Sequence, residues 1–476
     1  MYTSSKAKHK RGRNLSQKNA GATESLGHWV ASTSGQWQSG DLVAAGQLLI
    51  DTIACIASGG SLRQTAKVLK PYQGRGPARI VGTPHTASNE AAALVMGTWG
   101  HWEELDEMHY GAGLHAAVGT VPALLAICQG RNATSRDLLD ALIVGVEVNT
   151  QIGVAMGLDH VNKGWHSTES VGIFGATAAC ARLLRLNPEA CVNALALAAS
   201  MAAGPKGQFG TEAKPFHAGV AAQGAVNAVY LAQAGLQACS TILEKKDGFG
   251  ELYSGARPPD WTLIDLPADG ASTAISGSGL AIKWHANCGS THRAVDAVHG
   301  LLLEHDFSVD MVTRVETFIG MTNIVNLKYP DPNTPKEAQF SMNWAVARAL
   351  RGSYQQLTPD DFTEQALADA PTRALARLVS MNLLEDWEAE RMTNRLAHKV
   401  VIHLTDGRCL ARDMLWPRGT LGFNALSNEE LNAKIISCMA SAPDGTVATA
   451  KAILTDPTGS ADELMAVLSY EPEWRS

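Results

Sequence analysis

The chain has 476 residues, 45% of them apolar and 18% charged, with 39 lysines and arginines against 46 acidic residues for a formal net charge of −7. That balance gives no overall pull towards nucleic acid or acidic membranes, so an anionic ligand has to be met by locally placed cations. Length and composition fit a globular enzyme of two or three domains, large enough for a buried core and an interdomain cleft.

Residues 1–22 are basic and polar (KAKHKRGRNLSQK) and lack an acidic residue. They bury too little apolar surface to offset ordering entropy and read as a disordered extension. A mitochondrial presequence is the alternative, although no clear apolar face is present. From 23 to about 270 the period is helical, through DLVAAGQLLIDTIACIASGG, NEAAALVMGTWGHWEEL, GTVPALLAICQG, SRDLLDALIVGVEVNTQIGVAMG, SVGIFGATAACARLLRL, NPEACVNALALAASMAAG and AVNAVYLAQAGL. Small residues dominate these helices and permit close helix–helix approach. Their apolar runs are broken by Gln and Asp short of the ~20 residues a bilayer requires, so no membrane segment is expected.

Residues of about 271–418 change texture. The helix STHRAVDAVHGLLLEH precedes a strand at VTRVETFIG, helical patterns follow at FSMNWAVARALRG and RALARLVSMN, and KVVIHLTDGRCLARDM carries the Asp-Gly turn of a hairpin. This reads as a smaller α+β domain, and 419–476 is helical again. The eight cysteines form no C-x-x-C pair and have no histidine spacing suited to zinc or iron–sulfur ligation. No metal or cofactor is expected, and a reduced, cytoplasmic compartment is the simplest reading.

Three stretches carry candidate chemistry. In the first, Glu103-Glu104-Leu105-Asp106-Glu107-Met108-His109 leads through a glycine turn to His115. Its simplest reading is a solvated acidic helix end with an Asp106/His109 pair; its functional reading is acid–base work. In the second, Gly164-Trp165-His166 precedes Ser167 and Thr168, either of which suits a helix cap. The third, from Lys283 to Arg293, again places basic groups, including His292, at a helix start. Lys214-Pro215-Phe216-His217 adds a further start, with Pro215 expected at the first helical position and Lys214 in the cap region. Helix starts carry free N–H groups and the positive dipole end, so several converging ends would form a cationic pocket for carboxylate or phosphate.

Six ordered blocks, ELDEMHYGAGLHAAVGTVPALLA, NKGWHSTESVGIFGATAACARLL, EAKPFHAGVAAQGAV, LEKKDGFGELY, KWHANCGSTHRAVDAV and AQFSMNWAVARALRG, resemble those of the MmgE/PrpD family, which includes 2-methylcitrate dehydratase, cis-aconitate decarboxylase and iminodisuccinate epimerase. The resemblance implies a mainly α protein: a large helical domain built from both chain ends (23–270 and 419–476), a smaller α+β lid (271–418), a homodimer, and a cofactor-free cleft for a small polycarboxylate. It places Asp106, His115, His166, Lys214 and Lys283 at family active-site positions. The expected reaction is a lyase step removing water or carbon dioxide. His115 and His166 would be acid and base, Asp106 would orient a histidine, Lys214 and Lys283 would hold carboxylates, and His217, His292 and Trp344 would line the substrate site. The alternatives are an amino-dicarboxylate epimerase and an inactive helical binding or scaffold protein. The sequence departs from the family pattern at Trp344, where a tyrosine is usual, at Met108, where decarboxylase relatives often carry a hydroxyl, and at Ala116, which replaces a proline. An indole donates a hydrogen bond but cannot exchange a proton as a phenol can.

Overall fold

The computed structural model describes residues 21–277, 279–352, 356–386 and 396–475. The basic extension up to residue 20 lies outside them, and the first helix, Ala22–Ser32, begins inside the segment read as disordered. The fold is mainly α. Its centre is the Ala213–Gln233 helix, which packs on Asn89–Gly100, Ala117–Ile127, Gly172–Leu183 and Pro188–Ala199. The tightest crossing needs glycine on both sides: a Cβ on Gly97 would stand 2.8 Å from the Gly219 Cα. Small residues thus let backbones meet where larger ones would hold them apart.

Two helices, Ser39–Gly60 and Ser135–Met156, are each 22 residues long and apolar enough to cross a membrane by length and composition, which corrects the expectation that no run is long enough. Both are largely buried among other helices. Local signals set several helix starts. Thr134 and Asp137 form a reciprocal capping box ahead of Ser135, and Asn187 accepts from the Ala190 N–H ahead of Pro188.

The C-terminal helices return to this core. Asn428–Cys438 packs on Ser39–Gly60, and Thr446–Thr455 packs on both long helices. The Arg475 N–H closes the circuit by donating to Ser61 O at 2.8 Å.

The smaller part holds a four-stranded sheet ordered Val379–Leu383, Val312–Ile319, His398–Leu404, Cys409–Met414. The first pair is parallel and the others are antiparallel. The His292–Glu304 and Met342–Arg351 helices cover it. The expected strand and hairpin are present, but RALARLVSMN is only partly helical. Its helix ends at Ala376, and Val379–Leu383 is a strand because it takes the free edge of Val312–Ile319. Edge pairing satisfies the N–H and C=O groups on the side of Val312–Ile319 that would otherwise stay open.

The segment opening the smaller part does not pack there first. The Ala274–Ser276 turn lies on Ser39–Gly60 and Ser135–Met156, and Leu280–Ala281 pairs antiparallel with Met108–His109. This short pairing carries Lys283 towards the acidic loop.

The ion pair between Lys434 and Asp51, both buried, fastens the returning helix to Ser39–Gly60, and a second bond from the same ammonium reaches the acidic loop. Lys434 Nζ is 2.7 Å from Asp51 Oδ1 and donates to Leu105 O at 2.8 Å. Lys434→Met should cost about 3–5 kcal/mol, because it leaves Asp51 buried without a counter-charge. Urea unfolding of the variant checks this; a loss below ~1 kcal/mol would contradict it.

Candidate active site

The acidic stretch is not a solvated helix end. The helix stops at Gly100, and Glu103, Glu104, Asp106 and Glu107 are all buried in the loop that follows. Nor does Asp106 pair with His109. Its Oδ2 lies 2.7 Å from His101 Nδ1 and 2.8 Å from His115 Nδ1. His109 instead closes the glycine turn, with its Nδ1 accepting from the Ala112 N–H at 3.0 Å and its N–H donating to Leu114 O at 2.8 Å.

Burial pushes the Asp106 carboxyl up, but the imidazoles of His101 and His115 outweigh it and hold the group well below the usual carboxylate range. An ionised carboxylate only accepts, so the His101 Nδ1 hydrogen-bonded to it carries the proton and His101 Nε2 is left as an acceptor, whereas His115 Nδ1 stands at ion-pair distance without a hydrogen bond. Burial lowers His101 to about 4 despite Asp106, so this imidazole is neutral at neutral pH.

His115 lies just ahead of the Ala117–Ile127 helix, and its backbone N–H donates to Thr168 Oγ1 at 3.3 Å. Glu107 accepts from the Ala117 N–H at 2.5 Å, tying the acidic loop to the same helix. Burial and the Asp106 charge raise the Glu107 carboxyl well above its usual range. His166 precedes the short Ser167–Ser170 helix, and its N–H donates to Gly204 O at 2.7 Å. Neither Ser167 nor Thr168 caps that helix, contrary to expectation: Ser167 Oγ donates to Gly113 O, and Thr168 serves His115. Both hydroxyls therefore join the His115 and His166 segments.

The His166 ring stacks on His101 at 5.6 Å, and its Nδ1 is 3.0 Å from His217 Nδ1. Burial, then the Lys214 charge, keep His166 well below the usual histidine range and lower His217 to about 4. His217 Nε2 lies 3.7 Å from Glu169 Oε2, and burial raises that carboxyl to about 8.

The two lysines meet on one acid. Lys214 Nζ is ion-paired with Glu104 Oε1, while Lys283 Nζ lies 3.4 Å from Glu104 Oε2 and donates to Asn287 O at 3.1 Å. Burial pushes the Glu104 carboxyl up, but the two ammonium groups outweigh it and hold it well below the usual range. The helix bearing Lys214 starts at Ala213, so Pro215 is its third residue rather than its first. It still falls in the first turn, where a missing N–H costs little.

The remaining expected residues divide. His292 opens its helix, with Nε2 3.2 Å from Asn287 O, and so lies beside Lys283. Trp344 is fully buried in the smaller part, and its indole N–H donates to Asp361 O at 2.9 Å. That donor is committed to the backbone and is not directed at the histidine and lysine cluster. Sequence reasoning passed over His101 and did not single out Glu104 or Glu169. The only local signal was position: His101 stands five residues before Asp106, and Glu104 two before it.

Two groups bring three metal-type ligand atoms within 4.8 Å: His101, Asp106 and His115, and His285, Asp296 and His299. The donor spacing in each fits shared protons better than a cation. Ligand atoms ~2.1 Å from a tetrahedral ion stand about 3.4 Å apart. Here the Asp106 contacts are 2.7 and 2.8 Å, and His285 Nε2 is 2.9 Å from Asp296 Oδ1.

The cluster thus combines ionised carboxylates, lysine cations and neutral imidazoles, the components of an acid–base site for anionic ligands. The chain belongs to the MmgE/PrpD family: the MmgE/PrpD N-terminal domain matches residues 24–262 and the MmgE/PrpD C-terminal domain matches 285–456. It is similar to a cis-aconitate decarboxylase-like protein of Aspergillus oryzae, 26% identical over 83% of this chain and 86% of that protein. It is also similar to the cis-aconitate decarboxylase of Aspergillus terreus, 29% identical over 59% of this chain and 60% of that protein, and to that of Homo sapiens, 28% identical over 62% of each.

The depressed imidazoles make stability depend on pH. His101 and His217 titrate at about 4 in the fold and near 6.5 when unfolded, so unfolding takes up protons between those values. Their contribution is complete above pH 6.5 and is lost as pH falls towards about 4, at up to ~1.4 kcal/mol per pH unit for each group. The raised carboxyls of Glu107 and Glu169 act in the opposite sense, so the test is a difference: the stability gained from pH 5 to pH 7 should be smaller in His217→Gln than in wild type by denaturant unfolding. An equal gain in both would contradict the neutral, buried assignment.

Proposed function

We propose that this protein is a lyase acting on a small polycarboxylate, decarboxylating or dehydrating a cis-aconitate- or alkylcitrate-like substrate without a metal. The observation that carries the reading is the sharing of Asp106 by two imidazoles beside a pair of buried lysines, assembled from three separate stretches of chain. The similarity to cis-aconitate decarboxylases supports the substrate class and the lyase chemistry.

In this reading Lys214 and Lys283 hold substrate carboxylates, and their charges stabilise the carbanion or enolate-like species that forms next to a carboxylate. Asp106 fixes the proton of His115 on Nδ1 and leaves Nε2 to exchange a proton with the substrate. His166 is the second proton carrier, positioned by His101 and His217. For decarboxylation the bond to the departing carboxylate breaks, carbon dioxide leaves, the electron pair remains on the allylic fragment, and a histidine delivers a solvent-derived proton to carbon. For dehydration a carbon-bound proton passes to one histidine while the other protonates the departing hydroxyl. We further propose that the helical core is a domain formed from both ends of the chain, with the sheet-bearing part as a lid.

An inactive scaffold would have little reason to keep such a site. Buried ion pairs are weak contributors to stability and often less favourable than apolar replacements, whereas clustered perturbed groups mark functional sites.

Turnover of cis-aconitate and alkylcitrates in deuterated water, followed by NMR, tests the reading. A decarboxylase places deuterium on a product carbon; a dehydratase releases water without necessarily labelling its new vinylic position. Label and inversion with no other change of mass would instead indicate an epimerase. His115→Gln and His166→Gln should each abolish proton delivery, a step worth about 10²–10⁴-fold. Lys214→Ala should lower kcat/KM by the equivalent of about 2–4 kcal/mol, as when a buried charge loses its partner. A folded His115→Gln or His166→Gln variant with near-normal labelling would remove that histidine from the chemistry.

A further inference from the structure

Glu104 belongs to no expected role, yet it is the point on which both lysines converge. Its carboxylate is buried and gives one oxygen to each ammonium: Oε1 to Lys214 and Oε2, at 3.4 Å, to Lys283. Among the described residues it is the only hydrogen-bond partner of the Lys214 ammonium, although that group carries three donors. The phenyl rings of Phe209 and Phe340 cover Lys214 at 5.8 and 5.4 Å, so water has little access from that side. Beside Lys283 the amide of Asn287 is fully buried, and neither its Oδ1 nor its Nδ2 has a partner among the described residues. Donors left over on a buried ammonium and an unmatched buried amide both indicate a polar ligand at this place.

The backbone of Glu104 adds an independent sign. Its φ is 57°, in the left-handed region that residues with a side chain avoid. Such a conformation persists where the surroundings over-determine it, and two ion pairs to separate segments do so here.

We propose that Glu104 is the positioning residue of the substrate-carboxylate site, an internal counter-anion that keeps Lys214 and Lys283 side by side and protonated until a di- or tricarboxylate adds to their remaining donors. This inference rests on the polycarboxylate reading above. Two ammonium groups buried together without an anion would each favour losing a proton, through burial and mutual repulsion. Lys214 is already lowered by burial even with Glu104 in contact. Glu104 therefore works in two opposed ways: it competes with the substrate carboxylate for the lysines, and it keeps them charged enough to bind that carboxylate.

The consequence is a pH signature that loss of packing alone would not produce. The probe is tricarballylate, a saturated tricarboxylate with no double bond to react, titrated calorimetrically between pH 6.5 and 8.5. Wild-type affinity should vary by less than about threefold, because the lysines stay protonated throughout. Glu104→Gln should bind at least as tightly as wild type at pH 6.5, where the competitor has gone and the lysines remain charged. By pH 8.5 it should weaken by about tenfold, so that the two curves cross. If unpaired lysines keep Glu104→Gln from folding, the comparison is made in a Lys283→Met background, where Lys214 alone gives the same crossing. Wild-type binding with a variant-to-wild-type ratio that is constant over this range would overturn the role of Glu104 and leave the polycarboxylate reading standing. A wild-type protein that binds neither tricarballylate nor any other polycarboxylate would overturn both.

Discussion

Two ionised carboxylates, Glu104 and Asp106, are buried in one irregular loop, and the site takes its form from the need to satisfy them. A buried carboxylate without partners is too costly to keep ionised. Asp106 finds His101 from the end of the preceding helix and His115 from beyond the glycine turn. Glu104 finds Lys214 from the first turn of the central helix and Lys283 from the segment paired with Met108–His109. Lys434, from the returning C-terminal helix, binds the carbonyl of Leu105 between them. Distant parts of the chain are thus tied to three consecutive residues, and a shift in any one of them would leave a buried charge unmatched.

The same pairings divide the site electrically. On one side the ammonium groups share a carboxylate and retain donors for an anion. On the other, burial keeps His101, His166 and His217 neutral, while Asp106 accepts the hydrogen bond of His101 Nδ1 and stands 2.8 Å from His115 Nδ1. A neutral imidazole with a free acceptor nitrogen can take up a proton, and placing fixed cations nearby separates carboxylate binding from proton transfer. The smaller part contributes to this arrangement through the segment around Lys283 and His292, not through Trp344, whose indole is bonded to Asp361.

Helices with capping residues and long apolar faces were legible because each signal is local, as at Thr134, Asp137 and Asn187. The Val312–Ile319 strand and the hairpin after it were legible for the same reason, through alternation and the Asp-Gly turn. Val379–Leu383 was not, because its apolar residues continue the pattern of the preceding helix and only the open edge of a neighbouring strand decides its conformation. The blocks holding His115, His166, Lys214 and Lys283 could be recognised in order, but a run of Glu103, Glu104, Asp106 and Glu107 looks like a solvated surface. Its burial follows from cations more than a hundred residues away, which no local pattern reports. Ser167 and Thr168 illustrate the same limit: they have the chemistry of caps, yet tertiary contacts direct their hydroxyls to Gly113 and His115.

The central claim is that Asp106, ionised and shared, sets the tautomers of His101 and His115. Nitrogen-15 NMR of histidine-labelled protein at neutral pH tests it most directly, because ring-nitrogen shifts report which atom carries the proton. The account predicts that both rings bear their proton on Nδ1 and that Asp106→Asn disturbs the two resonances together. Protons on Nε2 in both rings, or spectra unchanged by Asp106→Asn, would contradict it.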